Sequence, residues 1–212
     1  MEDRLTPGLY LEMSDATVDD YVADRGHEIL SQPGVTGGSW WANAAPGRTD
    51  LPRELPEHPL LALFELTDDF VAPNAPPDVT ALHYRRCPRP GQGILTGNPT
   101  TGLSVVLISP RGRDGAPALR DWADFVHIRH IVEAAVPGYG MITPYEHATG
   151  GDPRYLHLYE MDTDDPEGAF RSMTPLVEAR IGAAGTSAWR RWAFHPDLRI
   201  MYVNTFTRIG AS

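Results

Sequence analysis

Short runs of this chain alternate hydrophobic and polar residues with period two, and longer runs repeat near 3.6, which sorts it into strands and helices. Leu9-Tyr10-Leu11-Glu12-Met13 and Ser104-Val105-Val106-Leu107-Ile108 read as strands. A helical stretch follows each, over 18–31 and 117–136. In the second, Trp122, Phe125, Val126, Ile128, Val132 and Val136 recur closely enough to form one apolar face. Pro33-Gly34 and Pro137-Gly138 stop these helices, because Pro cannot extend the hydrogen-bond ladder and Gly tolerates left-handed geometry. Strands are then expected at 35–42 and 140–147, and again at 58–66 and 154–161. The second half adds a helix over 167–183 and a last strand over 199–208. The first half instead passes through Pro73, Pro76 and Pro77, which break any helix, to a strand over 79–86.

The same phrase occurs twice. Asp20-Tyr21-Val22, Arg25 and Pro33-Gly34 recur as Asp124-Phe125-Val126, Arg129 and Pro137-Gly138, 104 residues apart in a chain of 212. Such spacing marks one supersecondary unit used twice. Each half reads β-α-β-β-α-β, the ferredoxin-like order, with the second helix of the first half lost or shortened. Residues 1–87 form the first unit, the Pro-, Gly- and Thr-rich stretch 88–102 a linker, and 103–212 the second unit. A sheet with helices on one face leaves its other face bare. The expected fold is therefore α+β, two tandem ferredoxin-like units whose sheets pack face to face as an α+β barrel.

The helix over 122–136, running into Pro137-Gly138 and a Tyr-bearing strand, resembles the dimeric α+β barrel superfamily, most closely its EthD-like branch. So does the terminal W-R-R-W-A-F-H-P-D-L-R-I-M-Y-V-N-T-F-T of residues 189–207. In that branch a helix histidine usually stands eight residues before the Pro; here Arg129 holds the position, flanked by His127 and His130. The resemblance implies small-molecule enzymes: cofactor-independent monooxygenases, polyketide cyclases, lyases, isomerases and haem-binding relatives.

Composition narrows the chemistry. A formal net charge of -10 disfavours nucleic acid and anionic membranes, both of which need clustered cations. No apolar run reaches the ~18 residues of a membrane span, and Met1-Glu2-Asp3-Arg4 lacks the look of a signal peptide. Cys87 is the only cysteine, which fits a reducing compartment, so a cytoplasmic monomer or homodimer is expected. All eighteen basic residues are arginines. Schiff-base catalysis by lysine is thereby excluded, and proton transfer falls to His, Asp, Glu, Tyr or Cys.

Strand alternation places candidates on one side of each strand. In Tyr155-Leu156-His157-Leu158-Tyr159 the leucines are expected beneath helices, and Tyr155, His157 and Tyr159 inside the barrel. Tyr10, Glu12, His83, Tyr145, Tyr202 and Asn204 are expected inside by the same rule. The expected catalytic set is His157, Tyr159 and His83, with Glu12 as an orienting carboxylate. Tyr10, Tyr145, Tyr155, Tyr202, Asn204, Trp41 and His130 would contact substrate. The anticipated activity is cofactor-independent lyase, isomerase or cyclase chemistry on an apolar oxygenated molecule. Haem or metal oxidoreduction and a non-catalytic ligand-binding role are the alternatives. No metal site is expected, since H-x-x-H at 127–130 lacks further ligands. Arg25 and Arg129 are expected to pair with Asp20 and Asp124, and Cys87 is either structural or activated by neighbouring arginines.

Overall fold

A computed structural model describes residues 6–94 and 96–210, and the expected elements form with ends moved by up to three residues. The first half comprises β1 (Gly8–Ser14), α1, β2 (Val35–Asn43), β3 (Leu60–Leu66) and β4 (Thr80–Arg86). Helix α1 runs through Val18–Tyr21, a wider π turn Val22–Gly26, and His27–Leu30. Two-residue β5 (Gln92–Gly93) lies in the linker. The second half comprises β6 (Gly102–Pro110), α2, β7 (Tyr139–His147), β8 (Tyr155–Met161), α3 (Pro166–Ile181), α4 (Ser187–Ala193) and β9 (Leu198–Arg208). Helix α2 runs through Ala116–Trp122, a second π turn Ala123–Ile128, and Arg129–Glu133.

Local chemistry explains the stops and starts. Gly34 and Gly138, the repeated glycines, hold φ of 85° and 82°. A Cβ on them would lie 2.8 Å from the Phe70 backbone and from Thr163 Cγ2, so only glycine lets the chain turn there. Asp165 caps α3 through the Gly168 N–H, and Thr186 caps the unforeseen α4 through the Trp189 N–H. Residues 67–79 contain no helix.

The strands run β4-β1-β3-β2-β9-β6-β8-β7, and β7 pairs back onto β4, which closes the sheet. Both halves carry the ferredoxin-like order, fourth, first, third, second strand, and the fold is an α+β barrel. One apolar cluster draws side chains from all eight strands, including Leu11, Trp41, Leu63, Leu82, Leu107 and Leu156. An eight-stranded barrel has just enough room for side chains, and here aliphatic and aromatic residues fill it.

That filling reverses the expected phase of several strands. Leu156 and Leu158 point inward, while Tyr155, His157 and Tyr159 lie outside, beneath helices. Tyr10 and Glu12 likewise lie outside under α1, and His83 lies outside against Phe70, with ring centroids 5.3 Å apart. Tyr145, Tyr202 and Trp41 do face inward, within the packed cluster. Asn204 shares their side of β9, buried and hydrogen-bonded to Asn43.

The charge pairs also differ from expectation. Arg25 reaches past Asp20 to Glu12, 2.7 Å away, and also pairs with Glu28. Glu12 is fully buried and accepts further hydrogen bonds from Tyr10 and Tyr21 at 2.8 and 2.7 Å. Tyr10, Tyr21, Trp40, Phe64 and Phe70 pack around this centre as a ladder of aromatic contacts. Glu12 thus ties α1 to the sheet. Arg129 pairs with Glu133 on the surface, worth at most about 1 kcal/mol. Removing one partner of a buried pair costs far more. Glu12→Ala should therefore lower the unfolding free energy by about 3–5 kcal/mol, and Arg129→Ala by less than about 1 kcal/mol, in urea titrations followed by circular dichroism.

Candidate functional site

The principal cavity, about 440 Å³, lies outside the barrel, between the second half's sheet and helices α2, α3 and α4. This size suits a small organic ligand, for which cavities run about 300–1,000 Å³. Val106, Ile108 and Val203 supply an apolar floor, with His157 and Tyr159 of β8 beside them. Trp122 and His127 of α2, Phe170 and Met173 of α3, and Trp189 and Trp192 of α4 form the walls. Asp50 and Leu51, from the loop between β2 and β3, reach its rim.

The π turn in α2 decides which side chains face this space. A π turn adds a residue to the helical repeat and shifts the following side chains around the axis. Asp124 is buried at 2% exposure and Phe125 lies on the surface at 59%, the reverse of the simple helical pattern. Asp124 Oδ1 stands 3.4 Å from His157 Nε2, and its Oδ2 accepts from Arg89 Nη1 at 2.8 Å. Gln92 donates to the Asp124 carbonyl at 2.7 Å. Arg89 and Gln92 both lie in the stretch between β4 and β6, which thereby holds Asp124 through its carboxylate and its backbone carbonyl. Burial alone would raise the Asp124 pKa, but attraction to His157 and Arg89 outweighs it and holds the carboxyl below its usual value. An ionised carboxylate can only accept, so Nε2 is the ring nitrogen of His157 placed to donate to it, and Nδ1 is the other nitrogen.

His127 occupies a different environment. Its half-buried ring stacks on Trp192, with centroids 5.1 Å apart and an interplanar angle of 9°, and meets Trp122 at 5.0 Å. Nδ1 lies 3.0 Å from the Trp192 carbonyl, and the Trp192 indole donates back to the His127 carbonyl at 3.1 Å. A carbonyl only accepts, so Nδ1 bears the proton and Nε2 the lone pair. Enclosure by protein drives the imidazolium pKa down to about 4. Trp122 also donates to the Arg191 carbonyl at 2.7 Å, so three hydrogen bonds pin α4 onto α2.

Of the expected site residues, only His157 and Tyr159 line this cavity. Burial raises the Tyr159 pKa, keeping its phenol protonated. Tyr155 lies further along β8, its hydroxyl donating to the Ala116 carbonyl at 3.1 Å. His130 turns toward Glu133, 3.5 Å away. Cys87 is buried, and desolvation pushes its thiol up to about 12, which rules out an activated thiolate. Among the described residues no group of three or more His, Cys, Asp or Glu could hold a metal ion, and no helix is long and apolar enough to cross a membrane. The cavity-side role of Asp124 differs from its expected pairing with Arg129, and His127, read from H-x-x-H, lines the cavity on α2. The available signal was a charged residue set within the apolar stripe of α2.

No family model and no curated protein matches the chain. Solved structures do. A structure described as an anthrone oxidase-like protein aligns over 96% of this chain and 91% of its own, at 11% identity and a TM-score of 0.52. A major regulator of staphylococcal pathogenesis aligns over 96% and 99%, at 10% identity and 0.53. A candidate monooxygenase from Lactobacillus acidophilus aligns over 96% and 94%, at 8% identity and 0.53. At such identities these likenesses show the shared α+β barrel fold.

The histidine chemistry gives a pH signature. Between pH 6.5 and about 4 the unfolded chain binds a proton that folded His127 refuses, so stability falls as pH drops through that window. In His127→Phe this part of the acid-side slope should vanish, flattening the loss by about 2–3 kcal/mol. Thermal or urea unfolding at stepped pH measures it.

Proposed function

We propose that this chain is an acid–base enzyme that removes a proton from an apolar, oxygenated small molecule held between the sheet and helices of the second half. The observation that supports this reading best is His157, poised between an ionised, linker-clamped Asp124 and an aromatic-walled cavity. Nδ1 of His157 takes a proton from carbon next to a carbonyl, or from a phenol, and the electron pair moves onto the substrate oxygen. Asp124 stabilises the imidazolium that results. Tyr159, kept protonated by burial, donates a hydrogen bond to the developing oxyanion. The anion can then be reprotonated elsewhere, attack a neighbouring carbonyl or react with dioxygen, so isomerisation, cyclisation and cofactor-independent oxygenation share this first step. The substrate's own structure decides among them. The anthrone oxidase-like neighbour makes anthrone, a carbon acid with an apolar three-ring frame, a suitable first probe.

A second reading rests on His127. A neutral imidazole whose Nδ1–H is held by a carbonyl presents Nε2 in the way iron and zinc ligands do. The residues fit a haem held through His127 among apolar walls, and haem would supply electron-transfer or dioxygen chemistry. In that case His127 would hold the iron and the tryptophans would pack against the macrocycle. His157 and Asp124 would remain the proton carriers. Titration with hemin separates the two readings: a Soret shift lost in His127→Ala favours haem, and unchanged hemin spectra favour the cofactor-free enzyme.

With a turned-over substrate in hand, His157→Ala should lower kcat by about 10²–10⁴-fold with folding intact. Asp124→Asn, which removes the charge while keeping the shape, should lose a large part of the same factor. Steady-state kinetics alongside circular dichroism decide the matter, and a folded, fully active His157→Ala enzyme would overturn the assignment.

A further inference from the structure

One arginine near the cavity has more hydrogen-bonding capacity than its surroundings use. Arg48 lies in the loop between β2 and β3, its side chain 1% exposed and stacked over the Phe170 ring at 4.6 Å. Its Nη2 pairs with Glu167, but its Nε and Nη1 are buried without a hydrogen-bond partner among the described residues. Buried unpaired donors are costly, more so on a charged group. Asp50 lies close by, its Oδ2 3.6 Å from Arg48 Nη1 and 3.7 Å from Arg171 Nη1. Both distances exceed hydrogen-bond range. A single carboxylate oxygen thus sits between two guanidinium groups and bonds properly to neither.

Asp50 is half exposed and lies on a loop, so it can swing into solvent at little cost. Asp50, Phe170 and Arg171 line the cavity, and Arg48 reaches it through its stacking on Phe170 and its contact with Asp50. Glu167 is anchored by the Thr205 hydroxyl at 2.7 Å and by Arg171 Nε at 2.7 Å, so it stays. When Asp50 leaves, two arginines face one remaining carboxylate, and the gap has the charge and donors of a carboxylate site.

We propose that the ligand of this cavity carries a carboxylate on an apolar ring, and that this group takes the place Asp50 holds between Arg48 and Arg171. The inference rests on the cavity being the substrate site, and it narrows the substrate class to apolar acids. With a formal net charge of -10 the chain repels anions in general, so preference for an acid must arise locally.

Calorimetric titration of the purified full-length chain with 2-naphthoate and with 2-naphthol tests this. Naphthoate should bind at least about tenfold more tightly, as expected for a charge-assisted bidentate contact. Asp50→Asn, which removes the competing charge at an exposed position, should tighten naphthoate about fivefold and leave naphthol within about twofold. Arg171→Met and Arg48→Met should each abolish most of the preference. Arg171 is exposed, so its variant remains informative if Arg48→Met fails to fold. Equal affinity for the two probes, absence of naphthoate binding, or a ratio unmoved by Asp50→Asn would overturn the proposal. These are binding ratios, independent of turnover. Failure of the acid–base reading would appear instead as activity surviving in His157→Ala.

Discussion

Everything in this molecule follows from how little room lies inside a closed barrel of eight strands. Its interior is just wide enough for side chains or one small ligand, and here apolar and aromatic side chains from every strand take up most of it. Most polar members of β1, β4 and β8, such as Glu12, His83 and His157, then face outward. That outer layer is where an imidazole, a carboxylate and a phenol can be buried and still meet a ligand. The larger space lies between sheet and helices, about 440 Å³ against about 30 Å³ among the inward-facing residues Leu9, Trp41, Leu63 and Leu158.

The two halves resolve this outer layer differently. In the first, Glu12 joins Arg25, Tyr10 and Tyr21 in a closed network, and Phe70 from the helix-free stretch 67–79 packs over Tyr10 and His83. In the second, α3 and α4 stand over the sheet and a cavity of about 440 Å³ lies beneath them. The repeated helix contributes accordingly: Asp20 is exposed on α1, whereas Asp124 on α2 is buried beside His157. One motif thus lies at the surface in one half and is buried beside the sheet in the other. The linker contributes as well, since Arg89 and Gln92 reach back to hold Asp124.

Much of this architecture is legible in the residues. The period-two runs, the Pro-Gly stops and the repeated D-[YF]-V phrase yield the strand order and the closed sheet. Alternation divides Tyr155, His157 and Tyr159 correctly from Leu156 and Leu158, but it does not say which set faces inward. That choice belongs to the closed barrel, a property of all eight strands together. The expectation that the polar set lines the interior fails for β1, β4 and β8 and holds for Tyr145, Tyr202 and Asn204. The inward turn of Asp124 was hidden for another reason: a π turn is set by packing, and no residue pattern announces it. Helix α4, short and capped by Thr186, becomes stable through its three hydrogen bonds to α2, a tertiary contact again.

The central claim is the location of the ligand. A crystal structure of the chain soaked with anthrone or 2-naphthoate would test it most directly. The account predicts ring density between the sheet and helices α2 and α4, against Trp122 and Trp192, with a reacting atom close to His157 Nδ1. Density inside the barrel, or beneath α1 beside Glu12, would contradict it.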